Sequence, residues 1–186
     1  MKRTTRVILP LVAGAAVLAP LAPAATASES ASGTHAAAVH AQAGADAKAV
    51  TPASVLKRAK TWLTADNGHQ VPYSQTATFQ GYRTDCSGYV SMALQLAKPG
   101  PNTVGLASST YTSKINMSAL KTGDLVIDAN GSSTTRHVVI FEKWTSSAHN
   151  KYWAYEQRGG HGTDHRTLSY GITSGDDFDA YRPKKY

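Results

Sequence analysis

The chain has 186 residues, a single cysteine, and 19 Lys and Arg against 12 Asp and Glu, a formal net charge of +7. One cysteine excludes an internal disulfide, and the absence of a Lys/Arg cluster interleaved with aromatics sets nucleic acid aside as a partner. The length suits one folded domain with one core, and no internal repeat or second module is visible.

The first six residues, MKRTTR, carry three positive charges and no acid, and run into VILPLVAGAAVLAPLAP. This is the pattern of a secretory signal, with Ala25-Thr26-Ala27 as the small-residue cleavage site. The prolines and the short apolar run count against a membrane span. Cleavage after Ala27 removes three basic residues and no acidic one, so the net charge falls from +7 to +4. That mild basicity suits a solvated surface first, and dwelling near an anionic wall second. Residues 28–50 are dominated by Ala, Ser and Gly and lack the large apolar side chains that order a chain. They are expected to be a disordered linker or propeptide. The domain is then 51–186, in a protein that is secreted, monomeric and free of a membrane span once the signal is gone.

Thr51-Pro52 reads as an N-cap followed by proline at the first helical position, and Val55, Leu56, Ala59, Trp62 and Leu63 recur at helical spacing. A first amphipathic helix is predicted, ending near Asn67-Gly68. The polar stretch HQVPYSQTATFQGYRT has no clear period and is expected to be an ordered loop that delivers Cys86. After it, Tyr89, Val90, Ala93, Leu94 and Ala97 give a second helix with a core-facing stripe, stopped by Pro99-Gly100-Pro101. From Gly123 onward DLVI, HVVIF, KYWAYE and FDAYRP are short runs rich in Val, Ile, Tyr and Phe, separated by turn formers such as Asn130-Gly131. They predict strands of an antiparallel sheet. Helices first and strands afterwards imply an α+β domain. Trp62, Trp144 and Trp153 fall on apolar stripes and are expected in the core.

Cys86 lies in TDCSGYVSMAL, where a turn-forming Asp-Cys-Ser-Gly leads into the second helix. A thiol at a helix start meets unpaired N–H groups and the positive end of the helix dipole, both of which favour a thiolate. A thiolate nucleophile needs a base, and the base needs a group that fixes its tautomer. His137 opens the apolar run HVVIF, at the entry of a strand. The next strand ends with Glu156 and Gln157. If the two strands pair as a hairpin, one of these falls beside His137, and because strand neighbours point to opposite faces, only one of them can. The Cys86 N–H, without an intrahelical partner, is available to an oxyanion. Asp85 is either the N-cap of this helix or a partner for a substrate amine. The pair His161 and His165 sits in a turn region without further ligands at diagnostic spacing, so no metal is expected.

The blocks YRTDCSGYVSMAL, LKTGDLVI and RHVVIF, in that order, resemble the NlpC-type cysteine peptidases, papain-like enzymes that cut the peptide part of bacterial peptidoglycan. The likeness spans roughly Val71 to Gln157. It implies a papain-like fold, Cys86 as nucleophile, His137 as base, and no cofactor. Tyr73 of VPYS, Asp85 and Ser87 are implied as substrate contacts. The family often has His as the third residue, whereas YEQRGG here is similar to the Glu-Gln-Asn segment of the related CHAP amidases. Glu156 is therefore the expected orienting residue, with Gln157 as the alternative for that role and otherwise a substrate contact. Arg158 stands where those amidases place an Asn. The implied partner is a peptidoglycan stem peptide or cross-link. Two other activities fit the same residues: a non-catalytic wall-binding module, and a thiol acyltransferase or transglutaminase-like enzyme.

Overall fold

The computed structural model describes residues 49–186, so the expected signal (1–27) and nearly all of the Ala/Ser-rich segment (28–50) lie outside the described residues. The first helix, α1 (Pro52–Thr61), starts with a reciprocal capping box: Thr51 Oγ1 accepts from the Ser54 N–H at 3.2 Å and Ser54 Oγ accepts from the Thr51 N–H at 2.9 Å. Two orphan donors are satisfied this way, and Pro52 has none to lose. The helix ends before the predicted Asn67-Gly68, which instead close the following turn with φ of 52° and 87°.

The stretch expected to be a loop contains a small hairpin, β1 (Thr78–Phe79) and β2 (Tyr82–Arg83). Its Gln80-Gly81 turn has φ of 54° and 83°, the all-positive geometry of a type I′ turn. Directly after it comes α2 (Cys86–Ala93), all eight of whose residues are buried. This helix stops before the Pro-Gly-Pro run because Gln95 is left-handed, with φ of 51°. The Leu96 N–H then bonds Ser91 O at 2.9 Å and the Gln95 N–H bonds Met92 O at 3.1 Å, which is a Schellman ending. Two further elements lack a sequence prediction, α3 (Thr103–Ala107), capped by Asn102, and β3 (Thr112–Ile115).

The remaining strands are β4 (Leu125–Asp128), β5 (His137–Trp144), β6 (Tyr152–Arg158), β7 (Gly162–Leu168) and β8 (Asp179–Pro183). They form a six-stranded sheet in the order β3-β8-β4-β5-β6-β7, antiparallel at every pairing. The four predicted runs are β4, β5, β6 and β8. The unpredicted β7 places the His161–His165 region at the edge of the sheet.

Strand alternation gives the sheet two apolar faces. Leu125, Ile127, Val138, Ile140 and Tyr155 pack with Val55, Trp62, Tyr89 and Val90 of α1, its C-cap and α2, a cluster that Val50 also joins. Val126, Val139, Phe141, Ala154 and Ala180 form the second cluster, covered by Tyr170, Ile172 and Phe178. The architecture is thus the expected α+β arrangement of N-terminal helices on an antiparallel sheet. Trp62 is fully buried, whereas Trp144 and Trp153 are only half-buried and stack on His149 and His165, at 4.3 and 5.0 Å between ring centroids.

Gly88 explains one letter of the Asp-Cys-Ser-Gly run. A Cβ there would collide with the Arg83 carbonyl oxygen, so α2 can lie against β2 only through a bare Cα. Backbone on the far side cannot yield as a flexible side chain would. Gly88→Ala is therefore expected to destabilise the domain by about 1–3 kcal/mol, read as a lower denaturant midpoint at unchanged m-value. An unchanged midpoint would contradict this account of the packing.

Candidate active site

Cys86 is the first residue of α2, preceded by the N-cap Asp85 in extended conformation. Asp85 Oδ1 accepts from the Gly88 N–H at 2.6 Å and from Ser87 Oγ at 2.9 Å, while Oδ2 pairs with Arg83 Nε at 2.8 Å. Arg83 is itself held by the carbonyls of Gly100 and Pro101, at 2.7 and 2.9 Å. The first turn is thereby fixed on both sides. The thiol is 5% exposed, and the Thr103 hydroxyl of α3 stands 3.8 Å from its sulfur. As the first helical residue, Cys86 has no intrahelical acceptor for its N–H, which is left for an incoming oxygen.

The β5–β6 ladder sets the partner of this thiol. Val139 pairs with Glu156, so Glu156 lies diagonal to His137 on the same face. Glu156 Oε2 is 2.7 Å from His137 Nε2, which leaves Nδ1 free. The Glu156 side chain is completely buried, and Arg166 Nε of β7 donates to its other oxygen, Oε1. Arg166 also reaches the Tyr170 hydroxyl at 3.2 Å, and the Tyr170 ring meets the His137 ring edge-on at 6.0 Å. The imidazole is thus fixed by a carboxylate and by aromatic packing, and the carboxylate by a guanidinium.

Burial works against a charged imidazole, but hydrogen bonds to Cys86 and Glu156, and the negative charges behind them, outweigh it and hold His137 up at about 9. Glu156 shows the converse balance. Burial alone would raise its carboxyl, yet the bonds and charges of His137 and Arg166 keep it below the ordinary value. The two shifts agree on an ionised pair.

The other expected site residues divide. Tyr73 lines the cleft on both the Cys86 side and the His137 side. Asp85 and Ser87 also line the Cys86 side, where their polar atoms serve the cap and Arg83, so capping is the role the geometry gives Asp85. Gln157 is a correction. It is fully buried on the opposite face from Glu156, with its amide nitrogen 3.0–3.2 Å from the carbonyls of Val71, Pro72 and Thr84. It neither orients His137 nor can meet substrate. Sequence reasoning missed Thr103, Gln75, Arg136 and Arg166; their only prior signal was a polar residue in a loop or an edge strand. His161 and His165 take separate carboxylates, Asp164 at 3.5 Å and Glu142 at 2.8 Å, and among the described residues no cluster suited to a metal ion occurs.

The sequence profile of the NlpC/P60 family matches residues 68–163, a stretch that contains Cys86, His137 and Glu156. The chain belongs to the NlpC/P60 family. The search of curated proteins returned no match. Membership makes this a domain of the cysteine peptidase and amidase type directed at peptidoglycan. Arg166 lies beyond the stretch on which this NlpC/P60 domain matches its family.

Because His137 is raised above its unfolded value of about 6.5, its contribution to stability is complete below that pH and is lost as the pH climbs through about 9. An NMR titration of the His137 ring is expected to give a midpoint near 9. Glu156→Gln takes away a carboxylate that helps to hold His137 up, so the midpoint is expected to move down towards neutrality. A midpoint unaltered by that substitution would show that Glu156 does not hold His137 in its charged form.

Proposed function

We propose that this protein is a secreted cysteine peptidase or amidase that hydrolyses an amide bond in the peptide part of bacterial peptidoglycan, with Cys86, His137 and Glu156 as its catalytic residues. The observation that carries the reading is the imidazole held between a sulfur at a helix start and a buried carboxylate. Glu156 takes Nε2 and leaves Nδ1 free, and Cys86 is near enough to His137 to raise it, which suits the division of roles that nucleophilic catalysis requires. No step needs a metal or organic cofactor.

In the acylation step the Cys86 thiolate adds to the substrate carbonyl while the Cys86 N–H donates to the developing oxyanion. Collapse of the tetrahedral intermediate expels the amine, which takes the proton from His137 Nδ1. Neutral His137 then draws a proton from water, whose oxygen attacks the thioester; the carboxylic acid leaves, and the Cys86 thiolate and protonated His137 are restored. Glu156 stays ionised throughout and steadies the imidazolium, a role its depressed value suits. Export before action agrees with the basic N-terminus, the apolar run and the small residues of the first 27 positions.

Purified protein lacking residues 1–27 is expected to clear peptidoglycan preparations. Cys86→Ala and His137→Ala should each lower the rate by at least about 10³-fold while leaving the circular dichroism spectrum in place, with a lower unfolding midpoint expected for His137→Ala because it takes a cation from the buried Glu156. Product analysis with an added amine separates hydrolysis from acyl transfer. Full activity in both variants, or binding to walls without release of any fragment by the unaltered protein, would sink the proposal.

A further inference from the structure

Most of the charges around the cleft are already matched. Asp85 is matched by Arg83, Glu156 by His137 and Arg166, and Arg158 by Asp164 at 2.9 Å. Arg136 is the exception. Its guanidinium has no hydrogen-bond or ion-pair partner among the described residues, yet the residue lines the cleft both beside Cys86 and beside His137. It is half-buried, one position before His137, in the turn that joins β4 to β5.

That turn holds Arg136 in place. The Arg136 N–H bonds Ser132 O at 3.1 Å, and Gln75 Nε2 reaches across from the opposite wall to Ser133 O at 2.8 Å. A cation thus lines the cleft on both the Cys86 side and the His137 side, with no anion among the described residues to neutralise it. Guanidinium offers a planar fork of donors that matches a carboxylate with two parallel hydrogen bonds. An amine at the same place would be repelled, and Asp85, the acid that might have received one, is spent on the helix cap and Arg83.

We propose that Arg136 forms a carboxylate-binding subsite that selects substrates carrying a free carboxylate next to the scissile amide. The peptide identity rests on the hydrolase reading above; the subsite itself does not. A stem peptide with free carboxylates would be taken in preference to its carboxamide counterpart, a distinction of one proton-bearing group that shape alone does not make.

The test measures binding apart from turnover. Calorimetry on the Cys86→Ala protein compares a synthetic stem tetrapeptide, all carboxylates free, with its fully amidated form. The acid is expected to bind at least about tenfold more tightly. Adding Arg136→Gln should erase that preference, and adding Arg136→Lys should retain part of it, since the charge survives and the fork does not. Unfolding midpoints confirm that each variant is folded. Equal affinity for the two peptides, no binding of either, or a preference that survives Arg136→Gln would overturn the proposal. If the preference holds but the unaltered protein cuts neither peptide, the hydrolase reading fails and the subsite stands.

Discussion

A fully buried carboxylate, Glu156, is the constraint on which the site turns. An ion removed from water is costly unless partners surround it, and here each oxygen has its own cation, His137 on Oε2 and Arg166 on Oε1. The arrangement needs three adjacent strands, with the histidine on β5, the carboxylate on β6 and the arginine on β7. The register of the sheet is therefore part of the chemistry. A one-residue slip of β6 would turn Glu156 to the helix face and bring Gln157 beside His137.

The two neighbours on β6 divide the work of assembling the site. Glu156 points to the face that carries Tyr170 and Phe178 and orients the base. Gln157 points the other way and gathers the carbonyls of Val71, Pro72 and Thr84. Thr84 is two residues ahead of Cys86, and Pro72 is next to Tyr73. One dipeptide thus ties both His137 and the segment that leads into Cys86 to the same strand. A buried amide with three carbonyls around it is a structural tie, and its place in the sequence next to the carboxylate that holds His137 makes it easy to mistake for a substrate contact.

What could be read from the sequence is what strong periodicity and motif order encode. α1, α2 and the strands β4, β5, β6 and β8 announce themselves by apolar spacing, and hairpin pairing with alternation is enough to bring either Glu156 or Gln157 beside His137. The elements that escaped are short or polar. β7, Gly162-Thr-Asp-His-Arg-Thr-Leu, is an edge strand with one large apolar residue, Leu168, so it has no apolar stripe to betray it. The turn at Gln80-Gly81 lacks the Asn or Asp that usually signals its type. The end of α2 is set by a left-handed Gln95, ahead of the prolines that look like the stop signal. Arg166 could not be foreseen, because its partner lies on a neighbouring strand and its own strand was invisible.

Scaffold and loop carry different parts of the job. Cys86, His137 and Glu156 sit at the first turn of a helix, the start of one strand and near the end of the next, elements whose ends are fixed by caps and ladders. Tyr73, Gln75 and Arg136 sit on two connecting segments that meet over the cleft through the Gln75–Ser133 bond. A reaction whose geometry tolerates little error belongs on rigid elements, and selection among related peptides belongs on segments that can vary without disturbing it. The bond between the segments matters for that reason. It joins the two walls of the cleft to each other, so the loops can be as well placed as the helix and strands beneath them, although neither is part of the sheet.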